Sequence, residues 1–182
     1  MRLSDVTSAA LRALMGNENF VKGPLAINAG AAATVRSTVA YTYSVDGVIY
    51  SKAILSAQSI VPTHQQLVPG GVPNPVAVGY VQPINTTAYI TVGLDAAGAV
   101  KVVQGGYDGQ QPTLDPTVGV GTLGAVGTSA RGQSVVPDMP DGVTAIGIIK
   151  VVTGGAATFQ PGVDALDKAG VANKRKVGRN IS

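Results

Sequence analysis

The residues of this chain that could do chemistry are few, and His64 is the only imidazole among 182 residues. It lies in a Pro-rich stretch, and its nearest acids in the sequence are Asp46 and Asp95. A Ser-His-Asp relay draws its members from distant positions, so spacing alone does not forbid one. No serine, however, sits in the GxSxG elbow that would expose a nucleophile. His64 therefore reads as an ordinary loop residue. Asp138 and Asp141 are the one close acid pair beside a strand entrance. A glycosidase would need two carboxyls about 5–10 Å apart with separated pKa values. Aspartates at turns bond their own backbone instead, and that reading covers Asp46, Asp95, Asp108, Asp115, Asp138 and Asp141 alike. An EF-hand needs alternating acids closed by a glutamate, and Glu18 is the only Glu. Gly119-Val120-Gly121-Thr122-Leu123-Gly124 fits GxGxxG, but it lies in a Gly/Thr/Pro-rich segment with no helix signal after it, so nucleotide binding is not expected. The absence of Cys excludes disulfides, thiolate zinc sites, iron–sulfur clusters and cysteine catalysis. The sequence thus predicts no enzyme, no catalytic residue, no cofactor and no metal.

Charge is concentrated in one place. Lys174, Arg175, Lys176 and Arg179 fall within six positions, and the nine other basic residues face ten acids, a balance of −1 against +3 for the whole chain. The body is near neutral and the tail is cationic. Clustered cations suit phosphate contact, but no aromatic residue interleaves them for base stacking. A solvated tail, or an arm pairing with an acidic patch on a partner chain, is expected, and nucleic acid is not. The second candidate contact element is an N-terminal helix over about residues 5–15, capped by Ser4 and stopped at Gly16-Asn17. Leu3, Val6, Ala10, Ala13 and Leu14 fall at near-helical spacing, with Leu11 beside them. So short a helix is marginal alone and must dock on something.

The elements that would position these residues are strands. Thr34–Val45 is a β-branched and aromatic run in which Val35, Ser37, Val39, Tyr41, Tyr43 and Val45 share one face. Asp46-Gly47 and Val48-Ile49-Tyr50 complete a hairpin with a type I′ turn. Residues 61–83 hold five prolines and Gly70-Gly71, which predicts a long ordered loop or extended arm and not a central strand. Thr86–Leu94, the turn Asp95–Gly98 and Ala99–Gln104 form a second hairpin. Residues 105–134 are a second long Gly/Pro/Thr/Ser-rich connection with weak strand signals at 118–126. Val143–Thr153 is a strand, Gly154-Gly155 turns, and Ala156–Gln160 pairs back. Val163–Ala169 fits one or two helical turns.

The expectation is a mainly β fold, an antiparallel sandwich or jelly-roll-like domain of six to eight strands with a short N-terminal helix and extended loops. Residues 1–24 form the helix and arm, 25–172 the β-rich domain, and 173–182 the basic C-terminal tail. Gly and Pro make up about a fifth of the chain, 24 and 11 of 182, while 45% of residues are hydrophobic and 13% charged. That balance argues against general disorder. Charges interrupt the first twenty residues, so no secretory signal is expected. No apolar run reaches the 18 or so residues of a membrane span.

The second half carries an ordered series of motifs: Tyr80-Val81-Gln82-Pro83; Gly93-Leu94-Asp95-Ala96-Ala97-Gly98-Ala99-Val100; Pro137 through Val151; and Thr158-Phe159-Gln160-Pro161-Gly162-Val163 through Val171. With Tyr43-Ser44-Val45-Asp46-Gly47-Val48, residues 25–172 resemble the small β-rich structural proteins of tailed bacteriophage virions, of the head decoration, cement or head-fibre type. The resemblance implies a virion protein on the outer capsid surface, a homotrimer whose partner is the major capsid protein. Leu3, Val6, Leu11, Leu14, Lys174, Arg175, Lys176 and Arg179 are then the candidate capsid contacts. The alternative it leaves is a fibre or tail adhesion module binding host glycan through exposed loop aromatics such as Tyr80 or Tyr107. No family active-site residues exist to carry over.

Overall fold

The computed structural model describes residues 16–21, 25–28, 33–108, 134–168 and 170–176. The expected N-terminal helix and the weak strand signals at 118–126 lie outside these residues. What is described is mainly β, with eleven strands and no helix.

The two hairpins form where turn chemistry dictates. β3 (Tyr41–Val45) and β4 (Val48–Lys52) pair antiparallel through Asp46-Gly47. Both turn residues have positive φ, 49° and 73°, as a type I′ turn requires. β8 (Thr87–Asp95) and β9 (Val100–Gly105) pair through a turn that the Asp95 carboxylate organises, its Oδ1 accepting from the backbone N–H of Ala97 and Ala99. The run expected from Thr34 to Val45 divides. β2 (Thr34–Ser37) ends where the Ser37 hydroxyl donates to the Val39 carbonyl and accepts from Leu55 N–H. The chain bends there, Val39 leaves the buried face, and β3 continues in another sheet.

Three sheets result. β1 (Leu25–Ile27), β2 and β5 (Gln58–Ser59) form the first, in the order β1-β2-β5. β3 and β4 form the second. The third has six strands in the order β11-β10-β8-β9-β6-β7, with β6 at His64–Gln66, β7 at Asn74–Pro75, β10 at Val143–Thr153 and β11 at Val171–Lys176.

This third sheet corrects four expectations. The Pro-rich stretch is not merely a loop, because β6 sits inside the sheet between β9 and β7. Pro75 stands on the edge strand, where a missing N–H costs nothing. The sheet is not antiparallel throughout, since β6 runs parallel to β9. The neighbour of β10 on its outer side is β11 and not Ala156–Gln160; Phe159 bridges to Gln82 instead. Finally, residues 161–168 make separate turns where helical turns were expected. Pro161 and Gly162 (φ 78°) open them, and Asp164 turns its carboxylate back onto the Gln160 N–H at 2.7 Å.

One core joins the sheets. Leu25, Val35, Tyr41, Tyr43, Val45, Ile60, Ile90, Leu94, Val151 and Phe159 are all buried in it. Two contacts fix how the smaller sheets approach the large one. The Thr144 hydroxyl donates to the Ser44 carbonyl. Gly147 follows the register shift in β10, and a Cβ there would come within 2.3 Å of Leu25 Cδ1.

Candidate contact surface

The residues with chemical potential are engaged in structure. His64 lies in β6, with Nδ1 3.0 Å from the Thr63 hydroxyl. That hydroxyl also bonds the Val102 carbonyl and accepts from Val102 N–H, so it helps hold β6 to β9. Desolvation, and then the nearby Lys101 charge, lower the His64 pKa. Asp138 is gripped by Gln66, whose Oε1 accepts the Asp138 N–H at 2.6 Å and whose Nε2 donates to Oδ2 at 3.2 Å. Asp141 belongs to the Asp141-Gly142 turn that leads into β10. Among the described residues, no group of His, Asp or Glu is placed to hold a metal ion. Gly119 to Gly124 lie outside the described residues.

Tyr80 and Tyr107 are not exposed loop aromatics. They are 4% and 2% exposed and pack against each other with ring centroids 5.4 Å apart. The Tyr80 hydroxyl donates to the Gly105 carbonyl at 2.6 Å. Burial raises both phenol pKa values, that of Tyr80 strongly. Neither ring is available to stack on a sugar.

Buried glutamines tie the long loops to the large sheet. Gln104 bonds both backbone groups of Tyr80. Gln82 donates to the Thr86 and Val151 carbonyls. Gln66 reaches Gly71 as well as Asp138. A primary amide offers two donors and two acceptor sites on one rigid plane, so each side chain substitutes for a length of backbone ladder.

Several apolar side chains that the core leaves out stand on converging loop segments. Segments 61–62, 78–81 and 160–163 meet at one place. A Cβ on Gly79 would lie 2.6 Å from Pro62 Cγ, the Gln160 side chain donates to the Gly79 carbonyl at 3.3 Å, and a Cβ on Gly162 would lie 2.2 Å from Val61 Cγ2. These segments carry Val61, Val78, Val81 and Val163, each at least 40% exposed and Val163 67% exposed. Contiguous exposed apolar surface marks an interaction site, whereas scattered apolar residues mean nothing. Sequence reading did not single out these valines because valines in a Pro/Gly-rich stretch show no period to mark which of them the core takes.

Of the contact residues expected from sequence, only Lys174, Arg175 and Lys176 are among the described residues. Lys174, Arg175 and Lys176 occupy β11, in register with Lys150, Ile149 and Ile148. The basic segment thus begins as an edge strand of the large sheet and not as a free tail from residue 173. Lys150 Nζ lies 5.9 Å from the centre of the Tyr89 ring on the neighbouring strand. Leu3, Val6, Leu11, Leu14 and Arg179 lie outside the described residues. No helix among the described residues is long and apolar enough to cross a membrane. No protein-family model, no curated protein and no solved structure matches the chain.

Proposed function

We propose that this chain is a non-enzymatic structural protein of a tailed-phage virion, a decoration or cement protein that binds the major capsid lattice from the outer capsid surface. Within this reading the large sheet and the smaller sheets are the layers of a jelly-roll-like sandwich, and the protein works as a homotrimer. The observation that carries the reading is that exposed valines, Val61, Val78, Val81 and Val163, stand on three converging segments. Buried amides hold Tyr80 and Gln82, and the Gln160–Gly79 bond ties the neighbouring segment to them, as suits a contact surface, because a preordered surface loses little entropy on binding. The order of motifs from Tyr43 to Val171 supplies the virion context. His64 and Asp138, the best candidates for chemistry, are bonded to Thr63 and Gln66.

Co-sedimentation of the full chain with purified phage capsids tests the reading. Capsid binding is expected, and it is expected to be lost in V78K and V163K. A variant lacking residues 1–15 is the second arm. The deletion stops there because Gly16 and Glu18 accept hydrogen bonds from Gly47 and Ser44 and so belong to the folded body. Capsid binding by all three variants at the level of the parent chain sinks the proposal. Electron microscopy that finds the chain on the tail and not on the head lattice would replace it with the adhesion alternative.

A further inference from the structure

Among the described residues nothing pairs with the outer edge of β4, and its geometry is self-complementary. A two-residue turn closes on a hydrogen-bonded pair, here Val45 and Val48. Alternation then makes Tyr43/Tyr50 and Tyr41/Lys52 hydrogen-bonded pairs, and Ser44/Ile49 and Thr42/Ser51 non-hydrogen-bonded ones. The backbone groups of Thr42 and Ser44 therefore point away from β4, and residues 16–21 meet them there. Phe20 N–H donates to the Thr42 carbonyl at 2.9 Å, and Ser44 N–H to the Glu18 carbonyl at 2.7 Å. The matching groups of Ile49 and Ser51 point the other way, and no backbone bond from another described residue reaches them.

Natural sheet edges are shielded by proline, bulges, inward charges or a covering loop. From Val48 to Ser51 this edge has no proline, no bulge and no charge. Val48 and Ile49 are 39% and 58% exposed.

We infer that β4 is an edge through which two copies of this chain pair, antiparallel, about a two-fold axis at Tyr50. In that register Ile49 stands opposite Ser51 of the partner subunit. Both residues have outward backbone groups, so the two symmetric pairs exchange four hydrogen bonds. Lys52 then lies diagonal to Asp46 of the partner subunit, and the same attraction recurs on the other side of the axis. Neither residue forms an ion pair among the described residues. A shift that puts Ile49 on the axis would set Ser51 against Gly47, whose N–H already donates to the Gly16 carbonyl at 3.0 Å. The Tyr50 axis is therefore the one that both the hydrogen bonds and the charges favour. A five-residue edge buries less than the roughly 1,200 Å² of a stable interface, so the pairing is weak and concentration-dependent in solution. It is a two-fold contact, separate from any three-fold one and independent of what the exposed valines bind.

Sedimentation velocity of the full chain over a wide concentration range tests this. A reversible two-fold association that grows with concentration is expected, on top of any three-fold assembly. S51P removes an outward N–H without touching the ladder to β3, and I49K places like charges across the axis. Each is expected to weaken association at least tenfold while the far-UV spectrum and Tm match the parent; if S51P does not fold, I49K carries the test. The chain has no Cys, so Y50C reports the axis directly. Paired Cα atoms at such a position lie about 4.5 Å apart, within disulfide range, and mild oxidation is expected to give a covalent dimer. A parent chain that shows no two-fold association at any concentration, or one whose association a folded I49K leaves unchanged, overturns the inference. Neither result would affect the capsid-binding reading, which is measured separately.

Discussion

The side chain of Gln104 meets the backbone of Tyr80 as a paired strand would, accepting its N–H at 3.0 Å and donating to its carbonyl at 3.1 Å. All four groups are buried, so neither backbone group of Tyr80 has water to fall back on. Gln104→Leu keeps the bulk and removes both partners. It is expected to lower the unfolding free energy by roughly 2–4 kcal/mol, the cost of leaving two buried polar groups unmet. Urea denaturation of the parent and the variant measures it.

A second prediction concerns the close approach of the segment from Val135 to Pro137 to the large sheet. A Cβ on Gly105 would lie 2.0 Å from the Val135 carbonyl oxygen and 2.9 Å from Pro137 Cδ. Neither neighbour is a flexible side-chain tip that could swing aside. Gly105→Ala is expected to cost about 1–3 kcal/mol as an overpacking change, read as a lower urea midpoint. Gly142→Ala differs, because nothing lies within 4 Å of its Cβ position. There only the positive φ of 70° resists the change, at roughly 1–2 kcal/mol.

Alkaline pH should weaken the fold. Burial holds the phenols of Tyr80, Tyr107 and Tyr43 above their ordinary value of 10.0, with the Asp95 charge adding to the effect at Tyr43. Above about pH 10 the unfolded chain releases these protons and the folded one keeps them, so stability is complete below that pH and falls as pH rises through the folded pKa values. Tm measured across pH 8–11 is expected to drop steeply at the upper end. Phenolate absorbance should show some tyrosines ionising only as the fold is lost.

Mild acid acts through His64 in the opposite sense. Its pKa lies below the ordinary 6.5 because burial and then Lys101 disfavour the imidazolium. Below that value the unfolded chain takes up the proton first, so stability present at neutral pH declines as pH falls. His64→Gln is expected to flatten the Tm profile between pH 7 and pH 5. An unchanged slope would assign the acid sensitivity to other groups.

Surface and core changes should separate cleanly. Val72 is 78% exposed, and Val72→Ser is expected to leave stability within about 0.5 kcal/mol of the parent. V78K and V163K should also leave Tm unchanged while capsid co-sedimentation is lost.

Local chemistry made much of the fold legible. Asp46-Gly47 demanded a tight turn, Asp95 a capped one, and Val143–Thr153 read as a strand from end to end. Parity marked the core residues of β3, where Tyr41, Tyr43 and Val45 are buried. What escaped was decided by contacts distant in sequence. His64–Gln66 reads as loop between prolines, and it is a strand because β9 offers a parallel edge to it. The run from Thr34 reads as continuous, and the Ser37 hydroxyl ends it by bonding Leu55, 18 residues away. The contact surface was harder still. The order of virion-like motifs is visible in the sequence, but the meeting of segments 61–62, 78–81 and 160–163 depends on Gly79 and Gly162 receiving Pro62 and Val61. The basic cluster was plain as composition, yet its first residues belong to a strand because β10 extends far enough to pair with them.

The strand order of the large sheet also sets a timetable for synthesis. The centre of that sheet is β8 beside β9, β10 flanks β8, and β6 waits on β9. When Gln66 has been made, Tyr41, Tyr43 and Ile60 have been made too, but the strands that bury them extend to Thr153. At the roughly 5–20 residues per second of translation, that gap is on the order of 5–15 s. For that interval the ribosome holds a chain with large apolar side chains and no surface to cover them. A nascent chain stalled before residue 143 should therefore be a substrate for holding chaperones, and one released after residue 176 should not.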